Sequence, residues 1–229
     1  MENLIIVGTG TNAVHAFEFI KMYDLYNVIG FAVNKEYITE PTFRGLPVYD
    51  LEKIQETVKE PFKIFISLLW NRLNKERRNL FEWCDSRGFD FANIISPHAV
   101  MRPSSRIGRN CWIHDFVVLQ HNTVIGDDVA IMGFALIGGN SKVGSHSFLG
   151  AKSIIGGGSK VGEQCFIGIN ATIFDCTSIG EKCIVGACTH VKRNLPSYSV
   201  VKTAMDSVSI TQYREEEIEN KLQFRKNVR

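Results

Sequence analysis

Long apolar segments, closely spaced cysteines and charge of one sign are all scarce in this 229-residue chain. The longest apolar runs, such as residues 4–7, are far too short to cross a bilayer. No basic stretch precedes a long apolar segment at the N-terminus, so we expect no signal peptide and a cytoplasmic protein. The six cysteines form no C-x-x-C pair, which favours free thiols in a reducing compartment.

The charges nearly cancel, since 26 Lys and Arg residues face 24 Asp and Glu residues. A net charge of +2 gives no general reason to expect nucleic-acid binding. We interpret the basic cluster Arg72, Lys75, Arg77 and Arg78 as one solvated face of a helix. His114 and His146 are expected on the protein surface. The histidines form no cluster with the spacing of known metal-ligand motifs, so we predict no metal site.

A six-residue repeat is the strongest pattern in the sequence. From Ile95 to Val191, every sixth residue is aliphatic or Met, and no insertion breaks the count. The residue four places further on is small or β-branched, as at Thr123, Ser141 and Ser159. A helix would need a period near 3.6. The repeat therefore predicts short strands joined by tight corners and stacked into a solenoid, with the aliphatic residues inside. Glycine follows many aliphatic positions, where a Cβ would obstruct the corner.

The first ninety residues follow a different pattern, in which strands and helices alternate. This alternation predicts a small parallel sheet. A glycine-bearing turn at residues 8–12 joins the first strand to the first helix and forms a natural anion site. Because Ala13 stands where a full G-x-G-x-x-G motif needs glycine, a purely structural turn remains an alternative. The predicted strands are residues 4–7, 27–33 and 62–68, and the predicted helices are residues 13–22, 51–58 and 74–86.

The two halves in this order resemble the hexapeptide-repeat nucleotide-sugar N-acyltransferases, similar to the bacterial amino-sugar N-acetyltransferase and sialic-acid O-acetyltransferase-like group. The resemblance extends through residues 43–48, Asn74 with Arg77, and residues 93–97. It implies three parts. These are a small Rossmann-like nucleotide-sugar-binding α/β domain (1–94), a left-handed parallel β-helix that binds acyl-CoA (95–195), and a C-terminal extension with a short helix (196–229).

The resemblance also implies an activity and its partners. The expected reaction moves an acetyl or short acyl group from acetyl-CoA, or another acyl-CoA, to the amino group of a nucleotide-linked amino sugar, for surface polysaccharide biosynthesis. The expected assembly is a homotrimer that binds no nucleic acid and no membrane. The alternatives are a sugar O-acetyltransferase and a non-catalytic nucleotide-sugar-binding trimer.

Site residues carry over from the resemblance position by position. We expect the sugar nucleotide to contact Gly8, Thr9, Gly10, Thr11, Asn12, Asn34, Lys35 and Asn74, with the first five at its phosphates and Asn34 or Lys35 at its base or ribose. We expect the coenzyme to contact Gly139, Gly157, Ile169, Ala187 and Lys192.

The histidine that acts as general base in the resembling enzymes is missing here. An ungapped alignment places their His-Glu pair at Gly139 and Asn140. In one interpretation His121, one coil earlier, replaces it. In another, a neutral amine needs no side-chain base, and in a third the protein only binds. Gly157, one coil beyond Gly139, is expected to donate its N–H to the thioester carbonyl. The catalytic candidates are thus His121, Asn140 and Gly157.

Overall fold

The computed structural model describes residues 1–203. The predicted C-terminal helix, at about residues 211–224, lies outside the described residues. In the described part, strands and helices alternate at first and short strands then recur every six residues. No helix in that part is long and apolar enough to span a membrane.

The N-terminal part is a five-stranded mixed sheet with helices. Its strands lie in the order β3-β4-β2-β1-β5. Four of them are parallel, as predicted, but β3 runs antiparallel to β4. The sheet is therefore not wholly parallel, because Arg44 and Gly45 both adopt positive φ and form a tight hairpin turn. The elements are β1 (Asn3–Val7), α1 (Thr11–Met22), β2 (Asn27–Val33), a 3₁₀ turn (Lys35–Tyr37), β3 (Thr42–Phe43), β4 (Leu46–Asp50), α2 (Ile54–Thr57), β5 (Lys63–Ile66) and α3 (Lys75–Ser86).

Two-residue strands build the rest of the described chain into a parallel β-helix, as the repeat predicts, and the stacked parallel sheets fit the left-handed form that the resemblance implies. As far as Val191, each strand pairs in parallel with a strand eighteen residues away, as when Leu119 pairs with Ile137, whereas Val200 pairs with Ile184, sixteen residues away. The strands form three sheets, which we call the first, second and third faces. The first face contains β6 (Ile94–Ile95), β9 (Trp112–Ile113), β12 (Ala130–Ile131), β15 (Phe148–Leu149), β18 (Phe166–Ile167), β21 (Ile184–Val185) and β23 (Val200–Val201). The second contains β7 (Val100–Met101), β10 (Val118–Leu119), β13 (Leu136–Ile137), β16 (Ile154–Ile155), β19 (Thr172–Ile173) and β22 (His190–Val191). The third contains β8 (Arg106–Ile107), β11 (Val124–Ile125), β14 (Lys142–Val143), β17 (Lys160–Val161) and β20 (Ser178–Ile179).

The corners of the β-helix explain the rest of the repeat. One corner residue per hexad has positive φ, and asparagine, which tolerates that conformation, occupies it at Asn122 and Asn140. The glycine two places before the positive-φ residue has another role. A Cβ at Gly126 would lie 2.6 Å from the backbone nitrogen of Ser145 in the next coil. These glycines therefore allow successive coils to stack at a short distance, which confirms their predicted steric role.

The N-terminal part packs against the early coils of the first face. The outward side chains of Trp112, Ala130 and Phe148 belong to the same buried cluster as Leu4 and Ile6 of β1. Aromatic contacts continue this cluster, since Phe65 and Trp112 have ring centroids 5.7 Å apart. The two parts of the molecule therefore share a hydrophobic core.

A buried polar network crosses the same junction. Arg77 is only 1% exposed and its Nε lies 2.6 Å from Asp128 Oδ1. Its guanidinium donates to the carbonyls of Ile66 (2.5 Å) and Leu68 (2.7 Å). The prediction of a solvated basic face is thus wrong for Arg77, because the side of α3 that contains it packs against the β-helix. His146 is also buried, with Nδ1 2.9 Å from Asp128 Oδ2, and His114 packs against Phe19 and Trp112, so neither histidine lies on the open surface as predicted.

Candidate functional site

A cleft of about 550 Å³ opens at the carboxyl ends of β1 and β2. Gly8 lines it in a conformation with φ of 121°, and a Cβ there would lie 2.6 Å from Ser67 Oγ. Only glycine fits where β1 passes so close to the residue after β5. The lining consists of Val7, Gly8, Val33, Asn34, Tyr37, Leu68, Glu76, Asn79, Leu80 and Trp83.

The N-terminus of α1 begins beside this cleft without a cap. Gly10 is its N-cap, no side chain caps it, and its first turn has no acidic residue. The N–H groups of Ala13 and Val14 bond back to the Gly10 carbonyl. A Cβ at Gly10 would meet no atom within 4 Å, so the approach is open. The uncapped N–H groups and the helix dipole favour an anion here, as the glycine turn predicts.

A second cavity, of about 240 Å³, extends the cleft past α1. The two cavities share Leu68 and Glu76, and the second adds Asn12 and Asn71. Asn12 and Asn34, which the sequence predicted, therefore line two adjoining cavities, and Gly8 lines the same cavity as Asn34.

Several lining residues were missed by the sequence reasoning. Glu76, Asn79, Leu80 and Trp83 come from one side of α3, and Tyr37 comes from the 3₁₀ turn. The i, i+3, i+4, i+7 spacing along α3 was a signal that could have marked them. Trp83 also stacks under Arg87, whose guanidinium carbon lies 3.8 Å from the ring centroid.

Five predicted substrate residues lie apart from the lining. Thr9 and Gly10 belong to the turn beside the cleft, and Thr11 begins α1. Lys35 is exposed at the start of the 3₁₀ turn, next to Asn34. Asn74 is buried at the N-cap of α3, and its Nδ2 donates to the His146 carbonyl at 2.9 Å, so it holds α3 to the β-helix.

The corner between the second and third faces stacks His121, Gly139, Gly157 and Asp175, one per coil. The imidazole of His121 covers Gly139: a Cβ at position 139 would lie 2.7 Å from His121 Nε2 and 2.9 Å from Nδ1. The ring thus fills the space that a side chain at position 139 would enter. His121 precedes Gly139 by one coil, but its ring still reaches the predicted catalytic position at Gly139.

Asparagine side chains orient this histidine. Asn122 Nδ2 donates to Asn140 Oδ1 at 3.1 Å, which turns the amide nitrogen of Asn140 toward His121. That nitrogen lies 3.4 Å from His121 Nε2. If Nε2 is the unprotonated nitrogen, its lone pair accepts from this amide, so Nε2 can act as a general base only once the Asn140 contact is released.

The predicted oxyanion donor is already engaged. The N–H of Gly157 donates to Asp175 Oδ1 at 2.6 Å, so a thioester carbonyl would have to displace this exposed carboxylate. The fold itself does not require glycine here. A Cβ at Gly156 would lie 2.5 Å from the backbone nitrogen of Asp175, and Gly158 has φ of 68°, whereas a Cβ at Gly157 meets nothing closer than 3.5 Å.

The predicted coenzyme residues fall on two corners. Gly139, Gly157 and Lys192 belong to the corner of His121, where Lys192 Nζ lies 5.2 Å from the centroid of the Phe174 ring. Ile169 and Ala187 are exposed on the corner between the first and second faces. In one chain a whole face separates these groups. Within residues 1–203, no group of three His, Cys, Asp or Glu side chains is arranged to hold a metal ion.

Known proteins share this architecture. The GMPPB C-terminal domain family matches residues 95–195. Perosamine N-acetyltransferase from Caulobacter crescentus, crystallised with CoA and GDP-perosamine, is 27% identical, with a TM-score of 0.76 over 87% of this chain and 93% of that chain. The acetyltransferase domain of PglB from Neisseria gonorrhoeae, in complex with acetyl coenzyme A, is 21% identical, with a TM-score of 0.76 over 87% and 95%. WeeI from Acinetobacter baumannii is 16% identical, with a TM-score of 0.74 over 89% and 97%.

A search of curated protein sequences gives no match. The structural similarity covers both the mixed sheet and the β-helix, because it spans nearly nine-tenths of the chain. The resemblance to the hexapeptide-repeat nucleotide-sugar N-acyltransferases is therefore confirmed.

Proposed function

We propose that this protein is an acyl-CoA-dependent N-acyltransferase that acylates the amino group of a nucleotide-linked amino sugar. The observation that carries the proposal is the near full-length similarity to an N-acetyltransferase crystallised with CoA and GDP-perosamine. The cleft and the histidine corner supply the two chemical requirements, an anion site and a base. The product would enter surface polysaccharide synthesis, and the reaction would take place in the cytoplasm.

The cleft is assigned to the sugar nucleotide, in a Rossmann-like nucleotide-binding domain of residues 1–94. The open N-terminus of α1, at Gly10, Thr11 and Asn12, would hold the phosphates. The nucleobase would lie toward Tyr37 and Trp83, whose aromatic side chains line the cleft. Gly8 would keep the turn narrow, and Thr9 and Lys35 would flank the nucleotide site. Asn34 would offer its side-chain amide to the nucleobase or the ribose.

In the proposed reaction the sugar amine attacks the thioester carbonyl carbon. The carbon–sulfur bond breaks and coenzyme A leaves as a thiolate. His121 Nε2 would take the proton that the amine loses, once the Asn140 amide has moved off it, and would return this proton to the departing sulfur. The Gly157 N–H would stabilise the carbonyl oxygen once Asp175 turns away.

A homotrimer would unite the two groups of coenzyme residues. One subunit would offer the His121 corner with Gly139, Gly157 and Lys192, and its neighbour would offer Ile169 and Ala187. Light scattering that shows a monomer with full turnover would contradict this shared site.

The direct test is a thiol-release assay with acetyl-CoA and a panel of nucleotide-linked 3- and 4-amino sugars. We expect thiol release with at least one amine, and none with the matched sugar that has a hydroxyl in place of the amine. Release with the hydroxyl sugar alone would identify an O-acyltransferase. Binding without release across the panel would indicate a non-catalytic protein.

A further inference from the structure

An apolar cavity of about 460 Å³ lies on the first face, outside the nucleotide cleft. It is lined by Trp70, Met132, Gly133, Phe148, Ala151, Phe166 and Ile169. Trp70 is 47% exposed and Ile169 is 59% exposed, so the cavity opens to the outside. Not one of the lining side chains is charged, and the only polar group among them is the indole N–H of Trp70.

The entrance to the cavity is built from an unusual backbone segment. Trp70 has φ of 41°, and Arg72, Leu73 and Asn74 also have positive φ. Bulky residues rarely adopt this conformation, and such strain persists where the surroundings enforce it. Here the Trp70 ring packs against Phe148 with centroids 5.1 Å apart, and the Leu73 carbonyl accepts from Gln164 Nε2 at 3.0 Å. The β-helix therefore holds Trp70 at the cavity.

The cavity lies at the same height along the β-helix as the proposed reaction centre. Gly133 and Ala151 precede Gly139 and Gly157 by one hexad each and so lie in the same two coils. Ile169 belongs to the next coil on the cavity's own corner. In the proposed trimer, a coenzyme arm that passes Ile169 along this corner would bring its acyl end to the level of Ala151 and Gly133.

We infer that this cavity is an acyl-chain subsite and that the enzyme accepts hydrocarbon acyl groups longer than acetyl. The inference rests on the proposed function, because it needs coenzyme A at this corner. A sugar ring would leave its hydroxyl groups unpaired against such a lining, whereas a hydrocarbon chain loses nothing there. The occupant is therefore the acyl group and not the acceptor sugar.

Calorimetric titration of the full-length protein tests the inference without an acceptor. The ligands are CoA, acetyl-CoA, butyryl-CoA and hexanoyl-CoA. Full burial of one methylene group strengthens binding by about fourfold. We therefore expect hexanoyl-CoA to bind at least about tenfold more tightly than acetyl-CoA. Equal affinities for the two would overturn the subsite, whereas failure of CoA itself to bind would overturn the proposed function and the subsite together.

The variant Ala151→Leu fills the cavity. Ile169 occupies the equivalent corner one coil away, so the fold accepts a large aliphatic residue at this position. The preference for hexanoyl-CoA over acetyl-CoA should fall to about twofold or less. Val124→Leu, on the third face, is the matched control and should keep the wild-type preference. An Ala151→Leu protein that keeps that preference, or whose mass in light scattering falls because the cavity is a contact between copies, would contradict the assignment.

Discussion

The His121 ring lies directly against Gly139, in the space that a side chain at position 139 would enter. A Cβ at position 139 could not coexist with the ring in its observed place. The glycine at position 139 and the histidine at position 121 therefore form one structural arrangement. A histidine restored at position 139 would displace His121 and could not simply add to it.

The first prediction concerns His121 as the base. His121→Asn should lower turnover about 10²–10⁴-fold with little change in the affinity for either substrate. His190→Asn, which changes an exposed histidine on the second face, is the control. Steady-state thiol release would measure both, and wild-type turnover in the His121 variant would show that the amine needs no side-chain base.

The second prediction uses the contact between His121 and Gly139. Gly139→Ala should displace the ring and reduce turnover by about tenfold or more, since small misplacements of catalytic groups are costly. In a His121→Asn background the same change should have almost no further effect. Additive losses in the two backgrounds would mean that position 139 acts independently of the ring.

A third prediction separates Gly157 from its neighbour Gly156. Gly157→Val should keep the melting temperature within a few degrees and lower turnover about 10²–10³-fold, since the fold has room for a Cβ but the N–H donor is blocked. Gly156→Ala should instead lower the melting temperature, because its Cβ would meet the next coil. Thermal unfolding and thiol release measured on both proteins check the contrast. Equal turnover in wild type and Gly157→Val would place the carbonyl elsewhere.

The buried pair at the junction gives a fourth prediction. Arg77→Met should lower the free energy of unfolding by about 3–5 kcal/mol, because the buried Asp128 carboxylate loses the guanidinium that pairs with it. The double variant Arg77→Met/Asp128→Asn should be more stable than the single one. Arg72→Met removes an exposed pair between Arg72, in the turn before α3, and Glu76, and should change stability by about 0.5 kcal/mol or less. Urea unfolding measures all three, and a single variant as stable as wild type would refute a structural role.

The fifth prediction concerns pH. Burial lowers the pKa of His114, which packs against Phe19 and Trp112, to about 4. The unfolded chain binds this proton below about pH 6.5, while the folded protein resists it until about pH 4. Protonation of His114 therefore does not affect the free energy of unfolding above about pH 6.5, and lowers it progressively as the pH falls toward 4.

Urea midpoints at pH 7.5 and pH 4.5 test this dependence. Between pH 7.5 and pH 4.5, the free energy of unfolding of His114→Gln should fall by about 2 kcal/mol less than that of the wild type. His190→Gln, at an exposed position, should behave like wild type. Identical acid losses in wild type and His114→Gln would exclude His114 as a source.

The six-residue period predicted the solenoid and its aliphatic interior, because a strict repeat puts like residues at equivalent positions of every coil; the left-handed form was implied by the resemblance alone. The sequence also located β2 and the cleft residues Gly8, Asn12 and Asn34. It did not predict that Arg77 and His146 are buried, since composition does not show which side of α3 meets the β-helix. Nor did it reveal that Asp175 engages the Gly157 N–H, because that contact joins residues eighteen apart through a side-chain orientation.

The eighteen-residue register also limits how chain length can change. An insertion of one residue within a strand would turn every later aliphatic side chain out of the interior, so tolerated changes are whole coils or loops at corners. A whole added coil would lengthen the prism by about 4.8 Å and leave each corner intact. The length of the prism on either side of the His121 corner can therefore change only in steps of one coil, independently of any change in side-chain identity.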